Sequence, residues 1–294
     1  MSSMQQYLAF AQTARHGSFA AAARDLGTVP SALAKAVRRL ERGLGVALFH
    51  RTTRQVRLTP DGERLFRRCE RILGEIEALQ AEASGAREAL VGTLRIDAPV
   101  AYGQQVILPR LAQLQRTHPA LGLDLRLNDA QIDLLRDGVD LAVRIGELKD
   151  STLVARRIDW QGLVLCAAPA YLAERGTPRR LRDLDAHIAV AFRMPGSGRD
   201  RAWQFRQRGG IVTVAPPART HVNETGGLLE AARLGLGLCQ MPDYVAAASL
   251  ARGELVELMA GLRPPPLPIS LVYPGGRLIP ARVRAAIEVL AQPT

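Results

Sequence analysis

The chain has 294 residues, of which 47% are apolar and 4% aromatic, with a net charge of +11. That length has room for about two domains. The apolar content excludes global disorder, and the few aromatics leave leucine, valine, isoleucine and alanine to build the cores. A basic chain of this kind points to a polyanionic partner. The charge is also uneven, because residues 1–60 carry nine basic and two acidic groups, net +7. Three widely spaced cysteines, Cys69, Cys166 and Cys239, fit neither a disulfide framework nor a zinc site. No cationic segment followed by an apolar core opens the chain, and no apolar run reaches membrane-spanning length, so a soluble, cytoplasmic protein is expected.

Residues 4–14 place Tyr7, Leu8 and Ala11 on one helical face, and Gly17 ends this first helix. Ser18 then caps a second helix, Phe19–Leu26, because its hydroxyl satisfies a free N–H of the first turn. Gly27 stops that helix, Thr28-Val29 complete the turn, and Pro30 suits the first position of a third helix reaching about Gly43. Leu33, Val37 and Leu40 form its buried stripe, and Ser31, Ala32, Lys35, Arg38, Arg39 and Arg42 lie off it. This is a helix-turn-helix pattern with a basic second helix. Small residues at its start allow close approach to base edges, and Lys35 and Arg38 reach bases or phosphates one turn on. The alternative is an ordinary helical hairpin with a solvated basic face.

Two short apolar segments, Leu44–Phe49 and Val56–Leu58, flank the polar stretch His50–Gln55. They read as a hairpin wing whose Arg51 and Arg54 grip the phosphate backbone, a contact that positions without reading sequence. Thr59-Pro60-Asp61 starts a long helix by cap, proline and acid. Its residues Leu65, Cys69, Ile72, Ile76, Leu79 and Ala83 repeat at spacings of 4 and 3. That is a heptad seam, which needs a partner helix and predicts a dimer. Phe66 and Leu73 widen the stripe towards the winged helix, and Cys69 on the seam reads as a small buried hydrophobe.

The segments GSFAAAARDL, PSALAKAVRRLE and LGVALFHRTTRQVRLTPDGE, followed by this linker helix, resemble the LysR-type transcriptional regulators. The resemblance implies a DNA-binding winged helix, a dimerising linker helix and a C-terminal effector domain. It departs from the family's pattern in the turn, where Val29 and Ala34 stand at places often held by serine. Base recognition is therefore expected to lean on Ser31, Lys35 and Arg38, with Ser18, Thr28, Pro30 and Ala32 completing the DNA-facing set.

Residues 84–92 read as a small-residue hinge. Beyond it, strands at Thr93–Ala98, Leu121–Asn128 and Asp140–Arg144 alternate with helices at Gly103–Thr117 and Gln131–Asp137. A second set follows, with strands at Gly162–Ala168, His187–Phe192, Ile211–Val214 and Leu238–Met241. Its helices are Ala170–Glu174, Glu224–Leu234 and Asp243–Ala248; strand Pro268–Tyr273 and helix Ala281–Leu290 return to the first set. Alternation predicts parallel sheets. The expected organisation is α/β, with a winged helix over 1–59, a linker helix over 60–87 and an effector domain over 88–294. Lobe 1 spans about 93–161 and 268–294, and lobe 2 about 162–267, with crossings near Asp159–Gly162 and Pro264–Pro268. DLLRDGVDLAVRIGEL, CAAPAYLAERGTP and ARVRAAIEVL extend the resemblance to this half, in the branch carrying RIDAPVAYG after the linker. The family's effector domain is similar to periplasmic binding proteins.

Ligands of such sheets bind beyond the carboxyl ends of the strands, near helix N-termini. The rule selects Ala98-Pro99-Val100, Asn128-Asp129, Arg144-Ile145-Gly146, Phe192-Arg193 and Val222-Asn223-Glu224-Thr225. Many relatives place Ser or Thr after the first strand to hold a carboxylate. Here Pro99-Val100 leave backbone N–H groups, and Arg144 or Arg193 is expected to supply charge for a small anionic or aromatic effector. The resemblance further implies binding to an inverted-repeat operator in double-stranded DNA, assembly to homotetramers and contact with RNA polymerase. Two other classes stand against it. A transport-type binding protein fits poorly with the N-terminal winged helix. An enzyme is unsupported: His16, His50, His118, His187 and His221 have no metal-ligand spacing, no nucleophile elbow or phosphate loop occurs, and no cofactor is called for. A thiol switch on Cys166 and Cys239 is disfavoured by their place in buried strands.

Overall fold

The computed structural model describes residues 3–51, 56–83, 90–130, 134–148, 153–215, 217–275 and 279–292. It opens with three helices, α1 (Ser3–His16), α2 (Phe19–Asp25) and α3 (Pro30–Leu44). Ser18 is extended and its hydroxyl accepts from Ala21 N–H, the cap that starts α2. Gly27 ends α2 at φ +60°, which lets Thr28 N–H reach the Ala23 carbonyl at 2.9 Å. Pro30 is the first residue of α3, and Val29 before it makes no side-chain cap. Leu33, Ala36, Val37 and Leu40 bury one face of α3 against Phe10, Leu48 and Phe49.

Strands β1 (Phe49–Arg51) and β2 (Val56–Leu58) pair antiparallel as the wing. The first apolar segment is mostly not strand. Leu44 belongs to α3, Gly45 turns at φ +72°, and Glu41 Oε1 holds the turn by accepting from Leu48 and Phe49 N–H. The wing tip, including Arg54, and the side chain of Arg51 lie outside the described residues.

Thr59 then starts α4 (Pro60–Ala83): its hydroxyl accepts from Gly62 N–H at 2.9 Å and donates to the Ala47 carbonyl at 2.7 Å. Gly62 passes so close to the turn that a Cβ would lie 2.1 Å from Leu48 O, so no side chain fits there. The front of the expected seam is partly used within the chain. Cys69 is buried in the winged-helix core, and Leu65, Phe66 and Leu73 pack against that core, because α1 supplies apolar cover. Ile72 remains 46% exposed. The side chains of Leu79 and Ala83, and most of the hinge, lie outside the described residues.

Lobe 1 runs β3 (Gly92–Ala98), α5 (Val100–Tyr102), a π turn, α6 (Leu108–Thr117), β4 (Leu121–Leu127), α7 (Leu134–Asp137), β5 (Leu141–Ile145) and β6 (Leu153–Gln161). Residues 131–133 of the expected helix before β5 lie outside the described residues. Lobe 2 follows with β7 (Leu163–Ala167), α8 (Pro169–Arg175), β8 (Ala189–Phe192), β9 (Trp203–Gln207), β10 (Gly210–Val214) and β11 (Ala218–Val222). Then come α9 (Thr225–Arg233), β12 (Cys239–Pro242), α10 (Asp243–Ala251) and β13 (Val256–Leu258), and β14 (Leu267–Pro274) and α11 (Ala281–Leu290) return to lobe 1.

Neither lobe is built from parallel strands alone. In lobe 1 the order is β4-β3-β5-β14-β6; β3, β4 and β5 run parallel, whereas β14 is antiparallel to both β5 and β6. The returning chain enters from the other lobe, and this reverses β14. In lobe 2, β7 pairs antiparallel with β12 and β13, β8 pairs parallel with β11, and β9 and β10 form a hairpin. Each lobe has its own core: Leu94, Ile96, Ile107 and Leu271 in lobe 1, and Val164, Val190, Leu228 and Met241 in lobe 2.

Candidate DNA interface and interlobe cleft

The helix-turn-helix places Pro30, Ser31, Lys35 and Arg38 in solvent, with Ala32 half-buried beside them. Ser31, Lys35 and Arg38 are spaced 4 and 3 apart and so share one face, opposite Leu33, Val37 and Leu40. Lys35 and Arg38 have no ion pair among the described residues, so their charge is presented outward. Thr28 is exposed in the turn, whereas Ser18 is half-buried and committed to its cap. Val29 is 59% exposed at the mouth of α3.

The two lobes enclose a cleft of about 320 Å³. Its floor on lobe 1 comes from the ends of β3, β4 and β5. Asp97, the penultimate residue of β3, is fully buried and organises this floor. Its Oδ1 accepts from Arg144 Nη1 at 2.6 Å and its Oδ2 from Asn128 Nδ2 at 2.5 Å. Arg144 is therefore neutralised within the protein. Asn128 is held with its amide nitrogen on the carboxylate, and its Oδ1 is buried with no partner among the described residues. Asp129 Oδ1 accepts from Val100 N–H at 3.0 Å, so the backbone donor at the start of α5 is already taken. Burial raises the Asp129 carboxyl, the Val100 N–H opposes this, and the Glu224 charge adds to it.

Lobe 2 closes the cleft with Phe192, Met194, Pro195, Arg201, Thr225 and Tyr244. The Arg201 guanidinium lies 5.1 Å from the centre of the Phe192 ring and has no carboxylate partner among the described residues. Burial lowers its pKa from the usual arginine range. Tyr244 stands edge-on to Tyr102 with ring centres 5.4 Å apart. Their hydroxyls donate to Gln161 Oε1 at 3.0 Å and to Asp159 Oδ2 at 3.1 Å. Burial pushes both phenols well above the ordinary range, so both stay neutral. The N-terminus of α9 is capped by its own Glu224, whose carboxylate accepts from Gly226 and Gly227 N–H.

The chain matches the family model described as LysR substrate binding domain over residues 87–293, and the one for the bacterial regulatory helix-turn-helix protein of the lysR family over residues 4–63. The chain belongs to the LysR family. It is 33% identical over 287 residues to the probable HTH-type transcriptional regulator LtrA of Klebsiella pneumoniae, covering 96% of this chain and 92% of that one. The HTH-type transcriptional regulator PtxR of Pseudomonas aeruginosa is 35% identical, with 97% of this chain and 90% of that one covered. The solved structure of CrgA, a LysR-type regulator from Neisseria meningitidis, is 31% identical, covers 99% of this chain and 98% of that one, and superposes with a TM-score of 0.63. The protein is thus a LysR-type DNA-binding transcription regulator with a substrate-binding domain. No helix among its described residues is long and apolar enough to cross a membrane.

Of the cleft residues read from this LysR-type sequence, Pro99, Asn128, Asp129, Arg144, Ile145, Phe192 and Thr225 line the cavity. Val100 contributes only its committed N–H. Gly146 lies outside the lining and donates its N–H to Pro268 O, and Asn223 is exposed. Arg193 also lies outside, paired with Asp200 at 3.1 Å in a cluster with His221. Neither arginine expected to supply charge is the uncommitted one; Arg201 is. Arg201, Gln161 and Tyr244 were not among the residues read from the sequence: Arg201 lies in a loop, Gln161 ends β6, which was not expected as a strand, and Tyr244 stands at the start of α10, a helix N-terminus after β12 that the rule could have found. Cys166 and Cys239 face each other in register between β7 and β12. Burial pushes the Cys166 thiol up to about 12 and Cys239 well above its usual range, which disfavours the thiolate that redox exchange needs.

Proposed function

We propose that this LysR-type regulator reads an inverted-repeat operator with the outward face of α3 and reports a small metabolite held between its effector lobes. The outward basic face of α3, with Ser31, Lys35 and Arg38 uncovered beside a buried apolar stripe, is the observation that carries this reading. Small residues bring the helix close to base edges, Lys35 and Arg38 contact bases or phosphates, and Val29 offers a methyl-lined contact to thymine. Thr28, Pro30 and Ala32 shape the approach, Ser18 holds α2 in place, and Arg51 and Arg54 of the wing grip phosphates. The regulator acts as a homodimer through α4 and assembles further to a tetramer in the cytoplasm, where it meets RNA polymerase. The open groove of about 490 Å³ formed by Met4, Tyr7, Leu65, Ile72 and Leu73 supports the pairing of linker helices. The effector carries an anionic group and an apolar or aromatic body, since Arg201 and the Tyr102–Tyr244 pair offer complementary surfaces.

Operator binding by Lys35→Ala and Arg38→Ala variants tests the reading. Each substitution weakens binding, and loss of a base contact relaxes discrimination by roughly 1–3 kcal/mol at one position. Loss of Arg51 or Arg54 instead flattens the salt dependence. Full affinity in both α3 variants would refute the assignment. For the cleft, carboxylate metabolites are titrated into the full chain, and Arg201→Gln weakens whatever binds.

A further inference from the structure

We infer that the interlobe cleft selects a small zwitterion, an amino-acid-like molecule that sets its carboxylate on Arg201 and its ammonium against Asn128 and Asp129. The inference rests on the reading of this cleft as the effector site.

The two walls ask for opposite chemistry. Three donor groups that would suit an anion, two on lobe 1 and one at the start of α9 on lobe 2, are already engaged. Arg144 is bound to the buried Asp97, Val100 N–H is bound to Asp129, and the first N–H groups of α9 are bound to Glu224. Beside them on lobe 1 stand two acceptors, Asn128 Oδ1 and Asp129 Oδ2. Asn128 cannot turn its amide round, because its oxygen would then face the Asp97 carboxylate; its Oδ1 is thus fixed as a buried acceptor with no donor among the described residues. An unsatisfied buried acceptor is costly, and a ligand that donates to it recovers that cost. Asp129, next in sequence, uses Oδ1 on Val100, and no donor to Oδ2 exists among the described residues. Its negative charge sits in a desolvated place beside a second acid, Glu224. A cation relieves both effects, and a second carboxylate worsens them.

Lobe 2 supplies the complement. Arg201 stacks on Phe192 and lacks a carboxylate among the described residues, so its planar fork is available to an anion. Tyr244 lies between the two walls, within electrostatic reach of both Asp129 and Arg201. Its ring, with Met194 and Pro195, offers apolar surface for a side chain. At about 320 Å³ the cleft is at the small end of ligand pockets, which suits a single amino-acid-sized molecule. A zwitterion bridging the walls also favours lobe closure, since each end binds a different lobe.

Calorimetric titration of the full chain with three matched sets tests this: the common L-amino acids, the same molecules lacking the amine, and the same molecules lacking the carboxylate. At least one amino acid is expected to bind about tenfold or more tightly than either of its analogues. Asp129→Asn, which keeps the acceptor for Val100, narrows the gap to the carboxylic acid, and Arg201→Gln narrows the gap to the amine. Equal binding of an amino acid and its deaminated acid, with both weakened by Arg201→Gln, overturns the zwitterion while leaving the cleft as the effector site. Amino-acid binding unchanged in both variants overturns the zwitterion and the cleft together. Binding by none of the three sets overturns the zwitterion alone, because the metabolite titration above decides the cleft separately.

Discussion

Asp97 sits fully buried near the end of β3 and accepts from both Arg144 and Asn128. One aspartate thereby removes one arginine from ligand binding and fixes the polarity of an asparagine amide. Nothing near Asp97 in sequence reveals this, since Arg144 lies 47 residues away and Asn128 lies 31 away. The residues of the helix-turn-helix are different. Ser18, Gly27 and Pro30 act on helix ends within three or four residues of themselves, so their roles are legible directly in the chain. Asp129 makes a residue-scale prediction. Burial raises its carboxyl, against the Val100 N–H and with the Glu224 charge. A raised acid stabilises the fold below the ordinary carboxylate range and loses that contribution as pH rises through its folded-state value. Asp129→Asn keeps the acceptor and removes the charge. The variant is expected to melt at a higher temperature than the parent at neutral pH, with the difference vanishing by about pH 3. A variant less stable at neutral pH would contradict this.

At the scale of elements, α4 holds the molecule's two halves together. Glu70 on α4 bonds Arg15 of α1 through Oε1 at 2.7 Å and Arg95 of β3 through Oε2 at 3.1 Å. Arg282 of α11 is buried against the same helix, reaching Gly74 O at 3.5 Å. A change in lobe 1 therefore has a direct polar route to the winged helix. Glu70→Gln is expected to lower unfolding free energy by roughly 1–2 kcal/mol, mostly through the shielded Arg95 bond, as the Arg15 pair is half in water. Urea unfolding checks this, and α1 should exchange its amides faster in the variant; an unchanged midpoint and unchanged exchange would contradict it. Other elements were harder to read. Strand β6 carries Arg156, Arg157 and Asp159 along a largely exposed edge, so its composition resembles a loop. Strand β11, with Arg219 and His221 exposed, hides for the same reason. In β9, Trp203 and Phe205 do point inward with polar residues between, and this alternation was a usable signal. The heptad seam read correctly as apolar, but periodicity does not say that α1 covers its first turns.

At the scale of the whole molecule, the charge gradient and the apolar linker groove combine. The basic winged helix favours any duplex, and the proposed pairing of two copies would convert that into recognition of two half-sites. Ile72, 46% exposed in the linker groove, is the test of pairing. Ile72→Glu is expected to weaken self-association about tenfold or more in sedimentation experiments, because a buried charge would face the partner helix. Unchanged association would place the dimer interface elsewhere. The central claim, that paired α3 helices read DNA, is tested most directly by selecting bound fragments from a DNA library and footprinting them. The account predicts protection of inverted half-sites whose centres lie about 10 base pairs apart or a multiple of that, lost in a Lys35→Ala, Arg38→Ala double variant. Protection of a single unpaired site, or a footprint unchanged in the double variant, would contradict it.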